Sequence, residues 1–225
     1  MMGSIRKYLR EYKHLALASY YFIVQILYYY TEAKVVPRYS MESRLDAYIP
    51  FIKYFIVPYL FWFVYMAIGF LYLGIKSKPE FFRMCLFMFS GMTICYILYM
   101  IFPNGQRLRP VITETDVFSR AIQRIYETDT PTNVAPSIHV YNSLAVHIGL
   151  LHYKPFRKNK WARWSSFVCM VLIILSTVFI KQHAILDVFW SFVLAFPLYL
   201  VVYKLIPVMK ASTDLPQQMK NTIFK

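Results

Sequence analysis

Six long apolar stretches alternate with short polar segments along the chain. They cover residues 15–30, 52–75, 84–102, 134–153, 165–180 and 184–203. Each is close to the roughly 20 residues that a helix needs to cross the hydrocarbon core of a bilayer. None shows the in-and-out alternation of a membrane barrel strand. The pattern therefore predicts an all-α, polytopic membrane protein with six transmembrane helices in a bundle.

The composition excludes the main alternatives. Of 225 residues, 58% are hydrophobic and 16% are charged, against about 45–50% and about 25% in soluble domains. Six glycines and three cysteines exclude a collagen and a disulfide scaffold. The length fits one membrane domain over 1–225, with a basic N-terminal segment over 1–14, a six-span core over 15–207 and a tail over 208–225.

The basic residues predict an orientation. With six spans both termini share one side, and that side carries 16 of the 25 lysine and arginine residues but only 3 of the 11 acidic ones. The positive-inside rule then puts the termini in the cytoplasm of a cell-membrane protein. The net charge of +14 is explained by anionic lipid on the cytoplasmic leaflet, so no nucleic acid partner is expected.

Four ionisable residues fall at the predicted extracytoplasmic ends of spans, where each needs a reason. They are His139, Lys181, His183 and Asp187. His183 and Asp187 are four residues apart and share a face if the last helix has begun by His183. A carboxylate that holds one imidazole nitrogen leaves the other free to attack or to take a proton. An aspartate that only stabilises a helix start explains this pair equally well.

Three segments together resemble the motifs of one family. The sequence STVFIKQHAILDV, residues 176–188, resembles the third motif of the type 2 phosphatidic acid phosphatase superfamily, SRxxxxxHxxxD. PSIH, residues 136–139, resembles its second motif, PSGH. Arg109-Pro110 resembles the RP that ends its first motif, KxxxxxxRP. The motifs follow the family's order within about residues 50–205, and the resemblance implies six spans with all three motifs on one membrane face.

The chain departs from these motifs at three positions. The lysine of the first motif falls on Phe102, the glycine of PSGH is Ile138, and the arginine of the third motif is Thr177. Lys181, expected one turn further along the same helix face, is predicted to replace the lost arginine. The bulky apolar residue in the second motif resembles the branch of inositol-phosphorylceramide synthases and related lipid phosphotransferases.

The resemblance implies a mechanism without a metal or other cofactor. His183 would attack phosphorus to form a phosphohistidine, with Asp187 supporting its ring. His139 would protonate the leaving oxygen and then activate water or an acceptor alcohol. The phosphate oxygens would be bound by four further residues, because phosphoryl transfer needs several converging donors. These are Arg107, Arg109, Ser137 and Lys181.

The expected function is hydrolysis of a lipid phosphate, either phosphatidate-type or an isoprenyl (di)phosphate, with membrane lipids around the enzyme. The first alternative is transfer of a phospho-headgroup to a lipid or alcohol acceptor. A non-enzymatic transporter or anion-binding protein is the second. A zinc site made of His139, His183 and Asp187 is a third reading, which the nearby arginine and lysine residues oppose. The sequence does not indicate an oligomeric state.

Two further segments carry patterns of their own. Residues 116–127, DVFSRAIQRIYE, have apolar residues at helical spacing and predict a short interfacial helix beside the site. The tyrosine run Tyr28-Tyr29-Tyr30 is interpreted as an interfacial girdle in preference to the lining of a lipid entrance.

Overall fold

The computed structural model describes residues 13–207, and the chain over this range is mostly helical. The predicted tail over 208–225 and most of the basic N-terminal segment lie outside the described residues. The helices are α1 (Tyr20–Lys34), α2 (Ile56–Lys76), α3 (Lys78–Ile101), α4 (Val117–Thr128), α5 (Ile138–His152), α6 (Lys154–Lys158), α7 (Lys160–Phe179) and α8 (Ile185–Tyr199). Short 3₁₀ helices cover Lys13–Ser19, Arg44–Tyr48 and Lys53–Phe55, and a π-helical turn covers Leu200–Leu205.

Four helical segments are long and apolar enough to cross a membrane. They are Lys53–Lys76, Lys78–Ile101, Lys160–Phe179 and Ile185–Leu205. The other two predicted spans correspond to α1 and α5, which have only 15 residues each. The fold is therefore that of a helical membrane protein, while the count of six spans stays a prediction.

The short helix α5 lies at the centre of the bundle. It packs against α2, α3, α7 and α8, and ten of its residues are buried. The surrounding helices instead expose large apolar side chains, such as Ile68 on α2 and Phe196 on α8, as helices facing lipid do. A helix enclosed by other helices contacts protein instead of lipid, so it need not be long enough to span the bilayer. The N-terminal end of α5 faces the loops that carry the motifs.

One asparagine fastens the loops at that end. Asn104 is fully buried in β2 (Asn104–Gly105), which pairs in parallel with β1 (Tyr39–Ser40). Its side-chain oxygen accepts hydrogen bonds from the backbone nitrogens of Val134 and Ala135, at 2.9 and 2.8 Å. Its Nδ2 donates to the carbonyl of Ala135 at 2.9 Å. The loop after α3 is thus fixed to the segment that leads into α5.

The predicted helix over 116–127 is confirmed as α4. Asp116 is its N-cap and accepts from the backbone nitrogens of Phe118 and Ser119, as N-cap aspartates do. Asp116 also lies 2.9 Å from Nζ of Lys53, and this hydrogen bond, followed by one from Ser119, holds the pKa of Asp116 well below its usual range. Ile122 is buried in a cluster that contains Tyr59, so α4 is fixed to the end of α2.

We expect Gly91→Ala to destabilise the protein although alanine is the better helix former. A Cβ at residue 91 would overlap the ring of Tyr141, whose hydroxyl donates to the carbonyl of Phe87 at 2.7 Å. Overpacking of this kind costs about 1–3 kcal/mol. Thermal unfolding in detergent should show a lower midpoint for Gly91→Ala, and adding Tyr141→Leu should recover part of the loss. A midpoint at or above that of the parent would contradict this packing.

Candidate active site

His183 and Asp187 form a direct pair at the junction of α7 and α8. Nδ1 of His183 lies 3.1 Å from Oδ2 of Asp187. The last helix, α8, begins at Ile185, so His183 precedes it and the contact forms across the start of the helix. Asp187 is fully buried, and the same Oδ2 accepts from the backbone nitrogen of Ala184 at 2.9 Å. The carboxylate therefore both starts the helix and fixes the imidazole.

A tight turn presents His183. The backbone nitrogens of Gln182 and His183 both donate to the carbonyl of Thr177, at 2.9 Å each. Lys181 has a φ of 54°, the left-handed region that side chains other than glycine rarely adopt. The prediction that Lys181 continues the face of Thr177 by one helical turn was wrong, because α7 ends at Phe179. The chain reverses here and returns His183 towards the bundle.

His139, in the first turn of α5, faces His183. The centroids of the two imidazole rings are 5.7 Å apart. The ring of His139 packs between Tyr59 and Trp62, at centroid distances of 4.7 and 4.6 Å. The backbone nitrogen of Ser137 donates to the carbonyl of Asp187 at 3.3 Å. The ends of α5 and α8 are thereby joined, and the two histidines are held close enough to contact one small group together.

Arg109 lies behind His183, bound to three acceptors. Its Nη1 donates to the carbonyl of Tyr126 at 3.0 Å, and Nη2 donates to the carbonyl of Asp129 at 2.5 Å and to Oε1 of Gln182 at 2.9 Å. The guanidinium carbon is 4.4 Å from the centroid of the Tyr126 ring. Burial lowers the pKa of Arg109, and the neighbouring Asp129 partly offsets this. The guanidinium is thus held against the side chain of Gln182, the residue directly before His183.

The structure places the other three predicted phosphate ligands differently. Arg107 is exposed, and its backbone nitrogen donates to Oε1 of Glu42 at 2.6 Å. Ser137 is fully buried, where its hydroxyl oxygen caps α5 by accepting from the backbone nitrogen of Val140 at 3.4 Å. Their contacts with phosphate stay predictions.

Lys181 is bound to backbone oxygens. Its Nζ donates to the carbonyls of Asp46 and Ile49, at 3.0 and 2.6 Å. Burial lowers the pKa of Lys181. Asp46 also accepts, through Oδ1, from the backbone nitrogen of Ile185 at 2.8 Å. The two residues thus attach the Arg44–Tyr48 helix to the loop before α8, and a role of Lys181 in phosphate binding stays a prediction.

A cavity of about 520 Å³ opens beside the histidines. His139, His183 and Gln182 line it, together with eight aromatic side chains. The aromatic side chains are Tyr21, Tyr28, Tyr29, Tyr59, Trp62, Phe63, Tyr96 and Tyr99. The interpretation of the tyrosine run as an interfacial girdle therefore fails to account for Tyr28 and Tyr29, which line this cavity. The space holds more than a phosphate group.

Sequence reasoning missed several residues of this region. Gln182 donates through Nε2 to Oδ2 of Asp129 at 2.6 Å and accepts from Arg109. Tyr59 and Trp62 enclose His139 from α2. Gln182 directly precedes a predicted catalytic histidine, and this position could have marked it from the sequence as a candidate site residue. The spacing of Tyr59 and Trp62 by three residues signals only a shared helix face, and nothing in the sequence connects that face with His139.

Metal ligands do not cluster in the part of the chain that the structure describes. Over residues 13–207, no group of three or more His, Cys, Asp or Glu side chains could hold a metal ion. The zinc reading of His139, His183 and Asp187 is therefore without support from the geometry.

The fold and this site define a helical membrane protein with a buried histidine–aspartate pair and a second histidine across a cavity. The model of the PAP2 superfamily matches residues 80–209, more than half of the chain, and the chain belongs to this superfamily. No curated protein and no solved structure matches the chain. Membership supports a phosphatase or phosphotransferase type of function. The matched range contains Arg109, His139, His183 and Asp187.

We expect Lys181→Met to lower stability, because two carbonyl oxygens in a region with little water lose their donor. An unsatisfied buried polar group costs about 1–3 kcal/mol. The measurement is thermal unfolding in detergent, with turnover recorded on the same samples. A parental unfolding midpoint combined with a large loss of turnover would contradict the structural role and support phosphate binding instead.

Proposed function

We propose that this protein is a metal-independent integral membrane phosphatase that hydrolyses a lipid phosphate through a phosphohistidine at His183. The observation that carries the proposal is the 3.1 Å contact of His183 with Asp187, opposite His139 in one cavity. Phosphatidate-type lipids and isoprenyl (di)phosphates are the proposed substrates. The charge distribution supports cytoplasmic termini and an extracytoplasmic site.

The contact with Asp187 prepares His183 as a nucleophile. A carboxylate next to Nδ1 favours the tautomer with hydrogen on that nitrogen and leaves a lone pair on Nε2. Nε2 attacks phosphorus, and the bond from phosphorus to the lipid oxygen breaks. The positive charge that develops on the ring is stabilised by the buried carboxylate.

His139 moves the protons. In the first step it gives a proton to the leaving lipid oxygen. In the second it takes a proton from water, which attacks phosphorus and breaks the bond to His183. Arg109 offsets negative charge on the transferring group through its link with Gln182. Ring packing by Tyr59 and Trp62 keeps His139 in place for both steps.

Transfer to an alcohol is the second candidate, and the size of the cavity favours it. A volume of about 520 Å³ with aromatic walls leaves room for an acceptor beside the phosphate. The acceptor hydroxyl would take the place of water at His139, so the same residues serve both reactions. The resemblance of the second motif to inositol-phosphorylceramide synthases supports this alternative. A transporter or anion-binding role would not require a carboxylate-held histidine that faces a second histidine across a cavity.

The test of the proposal is to trap the intermediate. Purified protein mixed with a ³²P-labelled lipid phosphate and quenched in base should carry label on His183 that is stable to alkali and lost in acid. His183→Ala should carry none. His152→Ala is the matched control, because His152 bonds the carbonyl of Ile148 on its own helix and should label normally. Turnover should survive EDTA and be blocked by vanadate. Activity that is lost on chelation and restored by zinc would contradict the proposal.

His139→Ala should show a dependence on the leaving group. A lipid alkoxide needs a proton to leave, whereas a nitrophenolate does not, and general acid help is worth about 10²–10⁴-fold. We expect His139→Ala to lose far more turnover on a lipid phosphate than on a nitrophenyl phosphate ester. The measurement is kcat/KM on both substrates. Equal losses on the two would assign the proton transfer to another residue.

A further inference from the structure

The charges in the cavity wall have the wrong sign for a phosphate alone. Among the described residues that line it, the acidic side chains are Glu32 and Asp129, and none is lysine or arginine. Over residues 13–207, neither carboxylate has a lysine or arginine nitrogen within 4 Å. Arg109, outside the cavity wall, interacts electrostatically with Asp129, but neither partly buried carboxylate has a cation in direct contact among these residues, and such carboxylates are costly. A ligand that brought only negative charge would add repulsion to this cost.

The carboxylates lie close to the reacting groups. Oγ1 of Thr130 donates to Oε2 of Glu32 at 2.6 Å, and Thr130 directly follows Asp129. Oδ2 of Asp129 accepts from Gln182, the neighbour of His183, and from the hydroxyl of Tyr59 at 3.4 Å. The Tyr59 ring in turn packs on His139. Asp129 is therefore linked to His183 through Gln182, the residue before it, and to His139 through the ring of Tyr59.

The same wall is rich in electron-rich rings. Tyr28, Tyr59 and Tyr96 line the cavity together with five further aromatic side chains. Ring faces attract cations, and cages of aromatic rings with carboxylates are the usual recognition of alkylammonium groups. In the described part of the chain, the hydrogen bonds to the Asp129 carboxylate both fall on Oδ2, so Oδ1 is left for such a ligand.

We propose that the cavity binds a phosphate ester that carries a cationic amine a short arm away from phosphorus. The ammonium group lies between Glu32, Asp129 and the tyrosine rings, while the phosphate meets His183. This inference rests on the proposed function and names its substrate class. Two sources share this chemistry, the phosphoethanolamine or phosphocholine headgroup of a diester lipid and a long-chain amino alcohol monophosphate.

The reaction is the same for both sources. Nε2 of His183 forms a bond to phosphorus as the bond from phosphorus to the leaving oxygen breaks, and that oxygen takes the proton of His139. Water or an alcohol then gives a proton to His139 and replaces the histidine on phosphorus. The ammonium group takes no part in bond making, so Glu32 and Asp129 act on substrate selection.

The test compares ligands that differ only in the charge of the nitrogen. His183→Ala protein, which cannot turn over, is titrated in micelles with a short-chain phosphatidylethanolamine and with its N-acetyl derivative. A second pair is a long-chain amino alcohol monophosphate and its N-acetyl derivative. We expect the amine of at least one pair to bind about 10-fold or more tightly than its neutral partner, and the pair that discriminates identifies the source.

The side chains are tested in the same background. Glu32→Gln combined with Asp129→Asn should reduce the preference to less than about threefold. Glu127→Gln is the matched control, since Glu127 is exposed on α4 outside the cavity wall, and it should keep the preference. Equal binding within both pairs, or a preference that survives the double substitution, would overturn the inference. Should the double variant fail to fold, the N-acetyl comparison decides alone.

The inference and the proposed function can fail separately. Discrimination by the amine without any phosphohistidine in the parent protein would refute the proposed function and leave the binding site standing. A labelled His183 together with equal binding of amine and N-acetyl ligands would refute only the binding site.

Discussion

The buried carboxylate of Asp187 is the constraint on which the site depends. A charge without solvent contact is costly unless it is hydrogen-bonded. Here Oδ2 accepts from the backbone of Ala184 and contacts the ring of His183, while Oδ1 has no hydrogen-bond partner among the described residues. The backbone carbonyl of the same residue accepts from Ser137. One residue thus fixes where α8 starts, how the imidazole is turned and where α5 begins. Displacing it would separate the two histidines that the proposed mechanism uses together.

The enclosed position of α5 follows from the same requirement. A helix that carries His139 to a defined depth must be held on all sides, and α2, α3, α7 and α8 surround it. Gly91 allows the Tyr141 ring to lie directly on the backbone of α3, so the packing is close on that side. Close packing limits small displacements, because interiors repack in discrete steps. The geometry of the site is therefore a property of the whole bundle.

The sequence indicated much of this arrangement and missed parts that depend on tertiary contacts. Apolar stretches predicted the long helices, periodicity predicted α4, and the spacing of His183 and Asp187 predicted their contact. The direction of Lys181 could not be predicted, because its amine bonds carbonyls at residues 46 and 49 that are distant in sequence. The cavity was missed for a similar reason. Tyr28, Tyr59 and Tyr96 lie on three different helices, and an apolar helix face does not show whether it meets lipid or a ligand.

The departures from the family motifs bear on the electrostatics of the site. Phe102, where the first motif has lysine, stacks on Tyr39 at a centroid distance of 4.1 Å. Thr177, where the third motif has arginine, supplies the carbonyl that forms the turn before His183. Both positions serve structure here, and neither supplies a cation. If the site binds phosphate as proposed, the two positive charges missing from the motifs must be compensated elsewhere, by Arg109 through Gln182 or by the ligand itself. An ammonium group on the substrate supplies such a charge without a further basic side chain, and it also pairs the two carboxylates of the wall. The lost cations and the acidic wall thus point to one requirement, a substrate with charges of both signs.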